Sequence, residues 1–290
     1  MMPDSLPSLN SLPRRRLLRF DAPGAPAVHF LLRLPASPRA DRVLVVVHGI
    51  SREPDVMLRW LAPMADVHGY TLVAPEFDAY AFSDFQRLGR AGCGERADLA
   101  LLNMIATARA FLGDDAAPPP HLLGFSGGAQ FGHRFVYAHP GCVASATLVA
   151  AGWYTPPHFR RPFPGGLGPC DGLAGLEFDG EALARTPLLL MAGKRDTVAD
   201  RNVRSTPRLN RQQGHHRLAR ARWFHRRLTR FAESVEGAAT HRFHELPRSG
   251  HDFAEAVREG GLSERLFEFL AELAVDPPAP RLGPREPAPC

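Results

Sequence analysis

The chain has 290 residues, 44% of them hydrophobic and 22% charged, with a formal net charge of +5. This is an ordinary globular balance in a length that lets one sheet bury a large core, so no second domain is needed. Residues 1–13 contain no apolar h-region and the three arginines after them precede only a short mixed segment. A secretory signal and a spanning helix are therefore not expected, and the cytoplasm is the expected compartment. Cys93, Cys142, Cys170 and Cys290 show neither CxxC pairing nor metal-ligand spacing, which predicts reduced thiols and no metal site.

In chain order, residues 1–13 read as a disordered arm and residues 14–275 as one α/β domain. Residues 17–20 and 28–34 read as an antiparallel opening pair of strands, and the apolar run 43–47 as a strand buried on both faces. Residues 57–67 carry apolar residues at helical spacing, and 70–74 form the next strand. A second amphipathic helix is predicted over 95–111, with Leu99, Leu102, Asn103 and Ala106 near one stripe, ended by Pro118-Pro119-Pro120. Strands follow at 121–123, 144–150, 187–193 and 242–246. Helices are predicted over 217–235, with Leu218, Ala221, Phe224, Leu228 and Phe231 on one face, and over 262–274. Residues 276–290 are proline-rich and read as a disordered tail. The alternation of strands and helices predicts a mostly parallel central sheet flanked by helices.

Directly behind the strand at 121–123 stands Gly124-Phe125-Ser126-Gly127-Gly128. Small residues around one serine allow a sharp turn from strand to helix that lifts the Ser126 hydroxyl above the sheet. A serine hydroxyl is a poor nucleophile near neutral pH, so an imidazole must take its proton and return it to the leaving group. A carboxylate must also fix the imidazole's tautomer. His251, in Ser249-Gly250-His251-Asp252 after the last strand, is expected as the base. Asp196, just past the strand at 187–193, is expected as the acid, with Asp200 its nearest rival and Asp252 too close in sequence to reach the ring in the usual way. An oxyanion hole is expected from the backbone N–H of Gly127 and that of Ile50 or Ser51, on the loop His48-Gly49-Ile50-Ser51. Of the other histidines, His48 is expected to order that loop, and His133 and His139 to lie on or just after the helix that follows Ser126.

These residues, in the order Ser126, Asp196, His251, resemble the α/β-hydrolase superfamily over residues 28–272. The segments Ala74-Pro75-Glu76-Phe77, Gly124 through Phe131, Ala151-Gly152-Trp153-Tyr154-Thr155 and Gly214 through Phe224 resemble bacterial esterases related to polyester (polyhydroxyalkanoate) depolymerases. The resemblance implies an α/β-hydrolase fold and a serine hydrolase that cleaves carboxylic esters through an acyl-enzyme, with no cofactor. A peptidase, amidase or acyltransferase with the same three residues, or a silent binding protein on the same fold, are the alternatives. In this superfamily an insertion such as residues 153–186 covers the active site. Trp153, Tyr154, Phe159 and Phe163 are accordingly expected as substrate contacts, with ordinary packing as the alternative, and the shortness of the insertion predicts an open cleft for small esters or a polymer end.

The basic residues are almost all arginine, and between 201 and 230 they recur with three histidines and Trp223. Nucleic-acid binding is not expected, because lysine is nearly absent throughout and arginine usage reads as a chain-wide bias. Arginines beside the acid loop are better placed to attract anionic substrates or free carboxylate ends. The expected partner is a small or oligomeric ester, without a membrane, and the sequence does not indicate an oligomeric state.

Overall fold

The computed structural model describes residues 17–113, 117–173 and 175–275. The expected N-terminal arm and proline-rich tail lie outside them. Eight strands form one sheet in the order β1-β2-β4-β3-β5-β6-β7-β8. They are β1 (Leu17–Ala22), β2 (Val28–Arg33), β3 (Val43–Val47), β4 (Thr71–Pro75), β5 (His121–Phe125), β6 (Ser145–Val149), β7 (Leu188–Gly193) and β8 (His241–Leu246). β1 pairs with β2, and β2 with β4, antiparallel; the six strands from β4 to β8 are parallel.

The helices are α1 (Pro54–His68), α2 (Ala97–Leu112), α3 (Gly127–Ala138), α4 (Ala182–Arg185), α5 (Pro207–Gln213), α6 (Arg217–Ala232), α7 (Phe253–Arg258) and α8 (Leu262–Val275). They cover the two faces of the sheet, which explains why the parallel strands are continuous apolar runs. Val43, Val45, Val47, Leu122, Leu148 and Leu190 face the layer built by α2, α3, α4 and α6. Their neighbours Leu44, Val46, Leu123, Val149 and Met191 face α1, α7 and α8. The side-chain period of two on a strand puts each residue type into one layer or the other.

Two expectations need correction. On α2 the buried face is Ala97, Ala100, Leu101, Met104, Ile105 and Ala108, whereas Leu99, Leu102 and Asn103 are half-buried and Ala106 is exposed. This helix is apolar on most sides, so a 3.6-residue period fits more than one starting point, and the position against β1 and β2 chooses among them. Cys93 and Cys170 are free thiols, but Cys142 is disulfide-bonded. A single bridge needs only two thiols brought within reach by the fold, and leaves no spacing pattern in the sequence. No helix among the described residues is long and apolar enough to cross a membrane.

Candidate active site

The site lies at the carboxyl ends of β3, β5, β7 and β8, where the parallel strands deliver their following loops to one edge of the sheet. β5 ends at Phe125 and α3 starts at Gly127, so Ser126 alone carries the reversal, with φ 53° and ψ −108°. A left-handed serine is a strained residue, worth about 1–3 kcal/mol, and is held only where its surroundings enforce it. The enforcement is visible in the flanking glycines. A Cβ on Gly124 would overlap the Gly128 carbonyl, and one on Gly128 would overlap the carbonyl oxygen of Val47 on β3. The turn closes this tightly only because both positions lack a side chain.

His251 and Asp196 reach Ser126 from loops far away in sequence. His251 Nε2 lies 3.0 Å from Ser126 Oγ and its Nδ1 lies 2.9 Å from Asp196 Oδ2. Asp196 and Ser126 are buried, while the imidazole keeps about a fifth of its side chain exposed. A ring between a buried carboxylate and a hydroxyl, with Nδ1–H donating to the carboxylate, presents Nε2 as an acceptor toward Oγ. The Phe125 ring stacks on the imidazole at 5.2 Å and fixes its plane. Asp252 serves the same loop differently: it caps α7 by accepting from the Glu255 N–H at 2.7 Å, and Glu255 accepts from the Gly250 N–H.

Sequence reasoning missed Arg217. This buried guanidinium is the first residue of α6; its Nη1 lies 3.4 Å from Asp196 Oδ1 and donates to Asp200 at 2.7 Å, and its Nη2 donates to Asp200 at 3.2 Å. Asp200, the rival acid, thus occupies the arginine and not the imidazole, and that donor holds its carboxyl below the usual carboxylate range. Arg217 sat in a segment whose many arginines read as compositional bias. Its position at a helix start just after the acid loop was the signal available.

The loop after β3 crosses in front of Ser126. A Cβ on Gly49 would stand 3.4 Å from Ser126 Cβ, and one on Gly127 would stand 3.1 Å from Ile50 Cγ2 and 3.2 Å from Gln86 Nε2. Ile50 and Ser51 are exposed. His48 holds this loop from below. Its Nδ1 donates to the Gly49 carbonyl at 2.8 Å and its Nε2 accepts from the Phe77 N–H at 3.1 Å. Burial pushes the His48 pKa down to about 4, so the ring is neutral in both roles. Arg52 adds donors to the carbonyls of Phe77, Asp78 and Phe82. Gly127 N–H belongs to the first turn of α3, where amides lack an intrahelical acceptor and the helix dipole favours negative charge.

The four expected substrate contacts of the insertion separate into two groups. Phe159 is exposed and Trp153 lines an open cleft beside the site. Tyr154 is fully buried against Phe224, with rings 4.3 Å apart, and Phe163 is buried against Phe178 at 4.6 Å. Neither has a surface to offer a substrate here, because the chain after β6 folds back onto α3 and α6 before it emerges. The Gln213 side chain fixes that return by accepting from the Tyr154 N–H at 3.0 Å and donating to its carbonyl at 2.7 Å. Among the described residues no group of three or more His, Cys, Asp or Glu side chains is arranged to hold a metal ion.

The order of strands, the turn at Ser126 and the helices on both faces make this the α/β-hydrolase fold. The structure is similar to poly(aspartic acid) hydrolase-1 from Sphingomonas sp. KT-1, with a TM-score of 0.72 and 24% identity over 87% of this chain and 98% of that one. It is similar to a poly(3-hydroxybutyrate) depolymerase from Bordetella parapertussis, with a TM-score of 0.66 and 27% identity over 83% of this chain and 88% of that one. An S-formylglutathione hydrolase from Agrobacterium tumefaciens follows at 0.55 and 15% identity, over 88% of this chain and 94% of that one. No protein-family model matches the chain, and no curated protein matches it in sequence. The solved relatives are hydrolases, which supports an enzymatic role.

Proposed function

We propose that the protein is a serine hydrolase that cleaves carboxylic esters through an acyl-enzyme, with Ser126 as nucleophile, His251 as base and Asp196 as acid. The observation that carries this reading is the continuous hydrogen-bond chain from Asp196 Oδ2 through the His251 ring to Ser126 Oγ. Ser126 Oγ attacks the ester carbonyl as its proton passes to His251 Nε2, and Asp196 stabilises the imidazolium without taking the proton. His251 then donates that proton to the departing alcohol oxygen. A water molecule, deprotonated by the same nitrogen, frees the acid and restores Ser126.

The negative oxygen of each tetrahedral intermediate is assigned to the Gly127 N–H and a second donor on the loop after β3, each worth on the order of 3 kcal/mol. The Ile50 and Ser51 amides are the two candidates for that second donor. Of the expected contacts, Phe159 is exposed and the largely buried Trp153 reaches the cleft wall, so these two are assigned to the substrate. The ester preference rests on the likeness to the poly(3-hydroxybutyrate) depolymerase, at 27% identity.

The test is intact mass after exposure to a fluorophosphonate, comparing the natural chain with Ser126→Ala. One adduct that disappears in the folded variant is expected. A folded natural chain that takes no adduct would overturn the proposal and favour a binding protein on this fold.

A further inference from the structure

Beside the site lies an open cleft of about 580 Å³ whose lining, among the described residues, includes Arg87, Arg90, Arg161, Arg204, Arg208 and Trp153 and no carboxylate. The volume is that of a pocket for a substantial ligand. Three segments supply the arginines: the turn at 85–90, the insertion and the stretch 204–208 that continues the acid loop. The first two border the helix that starts after Ser126. Gln86, next to Arg87, borders Gly127, and Gly152, next to Trp153, borders Gln130 one turn along α3 from Ser126.

The charges of this cleft are poorly balanced from within. The buried Asp84 is the one carboxylate bonded to any of its arginines among the described residues, and it is shared by Arg87 and Arg90. Arg161 has a neutral partner, Gln212 Oε1, at 2.8 Å. Arg204 lies over the Trp153 ring at 5.2 Å. The Arg134 guanidinium lies over the same ring at 4.3 Å, fully buried. It donates only to neutral oxygens, Thr155 Oγ1 and the Gln86 carbonyl, and its Nη2 is buried without a partner. No carboxylate is hydrogen-bonded to this buried guanidinium; Asp84 is the nearby counter-charge and is already shared by Arg87 and Arg90, so the cluster is short of negative charge that a ligand could bring. Burial and the neighbouring Arg87 push its pKa down, and Asp84 pulls the other way.

We propose that this cleft is an anionic subsite, and that the substrate is an ester of a chain bearing several carboxylates. Arginine is the residue suited to it, since its planar fork pairs with a carboxylate through two hydrogen bonds. Guanidiniums arriving from three segments suit a ligand with charges spaced along its length better than one compact anion. The chain lies in the cleft by its carboxylates and presents the ester to Ser126. The inference rests on the serine-hydrolase reading above.

The experiment compares kcat/KM for p-nitrophenyl monoesters of straight-chain dicarboxylic acids of four to eight carbons with neutral p-nitrophenyl alkanoates of equal length. At low salt the anionic ester of the best length is expected to lead its neutral counterpart by about 10-fold or more, and 0.5 M salt to remove most of that lead. The exposed pair Arg204→Gln, Arg208→Gln should lower the anionic-to-neutral ratio at least 5-fold, whereas Arg226→Gln, on the exposed side of α6, should not change it. Equal rates for both ester series at every length would overturn the subsite while leaving Ser126 chemistry standing. Binding of hexaglutamate to Ser126→Ala by titration calorimetry, weakened by the Arg204/Arg208 pair, would support the subsite even if the esters proved poor substrates. Absence of hexaglutamate binding at low salt would overturn it. Failure of the hydrolase reading itself shows separately, as a lack of fluorophosphonate labelling.

Discussion

Helix α3 joins two aspartate–histidine pairs of nearly equal geometry and unlike use. At its N-terminal end Asp196 meets His251 at 2.9 Å and the ring continues to Ser126. At its C-terminal end Asp98 meets His139 Nε2 at 2.8 Å, and both Asp98 oxygens also accept from Arg96, at 2.8 and 2.7 Å. Burial pushes the Asp98 pKa up, but the Arg96 and His139 donors outweigh it and hold the carboxyl below its ordinary range. His139 packs against Phe135, at 5.0 Å, and bonds no hydroxyl among the described residues. A carboxylate–imidazole pair is therefore a common way to satisfy buried groups. In the proposed mechanism it serves as a proton relay only where the second ring nitrogen faces an oxygen held in a strained, reachable position. The acid must also keep one oxygen for the ring, as Asp196 does while Arg217 is occupied mainly by Asp200.

Removing one carboxylate charge from each pair separates the two roles most sharply. Asp196→Asn is expected to lower kcat by about 10⁴ on a p-nitrophenyl ester with little change in thermal stability, because the tautomer is wrong while the packing is kept. Asp98→Asn is expected to do the reverse: kcat within a few-fold of the natural value, and about 3–5 kcal/mol of stability lost because Arg96 loses its buried counter-charge. Parallel denaturation and steady-state rates check both. An Asp98→Asn enzyme that stays stable but turns over slowly would refute the division.

The backbone of the site was legible in the chain and its support was not. Each parallel strand is an apolar run, and Ser126 sits among glycines whose absence of Cβ the turn requires, so the fold, Ser126, Asp196 and His251 could be picked out from local pattern and chain order. Arg217 could not, because its meaning comes from which carboxylates the acid loop turns toward it. Tyr154 was misplaced for a similar reason. An aromatic residue in an insertion looks the same whether the chain lifts away from the core or, as here, folds back so that the ring stacks on Phe224.

Gly128→Val tests the strained turn that the Asp98 end of α3 does without. Since its Cβ would overlap the Val47 carbonyl, the variant is expected either not to fold or to lose several kcal/mol of stability together with fluorophosphonate labelling. A stable, fully labelled Gly128→Val protein would sink the account of the turn. A smaller effect is expected for Arg217→Met, which keeps the stem's packing and removes the donors. It should reduce kcat about 10- to 100-fold with KM little changed, as a positioning residue acting through Asp196 requires. A change confined to KM, or to stability alone, would assign Arg217 to the scaffold instead.

The smallest effect concerns a third kind of imidazole, His48, which has no carboxylate at all. Its pKa is pushed down to about 4 by burial, against about 6.5 in an unfolded chain. The folded state favours the neutral ring, so the contribution to stability is complete above pH 6.5 and is lost as pH falls from there toward 4. At pH 5.5 one such group costs about 1.4 kcal/mol relative to neutral pH. His121, lowered to about 4 by burial as well, and His133, His241 and His244, also lowered by burial, add slopes of the same sign, so His48 must be told apart from them by substitution. His48→Asn keeps a donor toward the Gly49 carbonyl and removes the titration. Denaturant midpoints at pH 7.5 and 5.5 should then differ by less than in the natural chain, by roughly the cost of one histidine. An unchanged difference would mean that protonated His48 finds water or a new acceptor, and that the loop it supports opens before the rest of the fold yields.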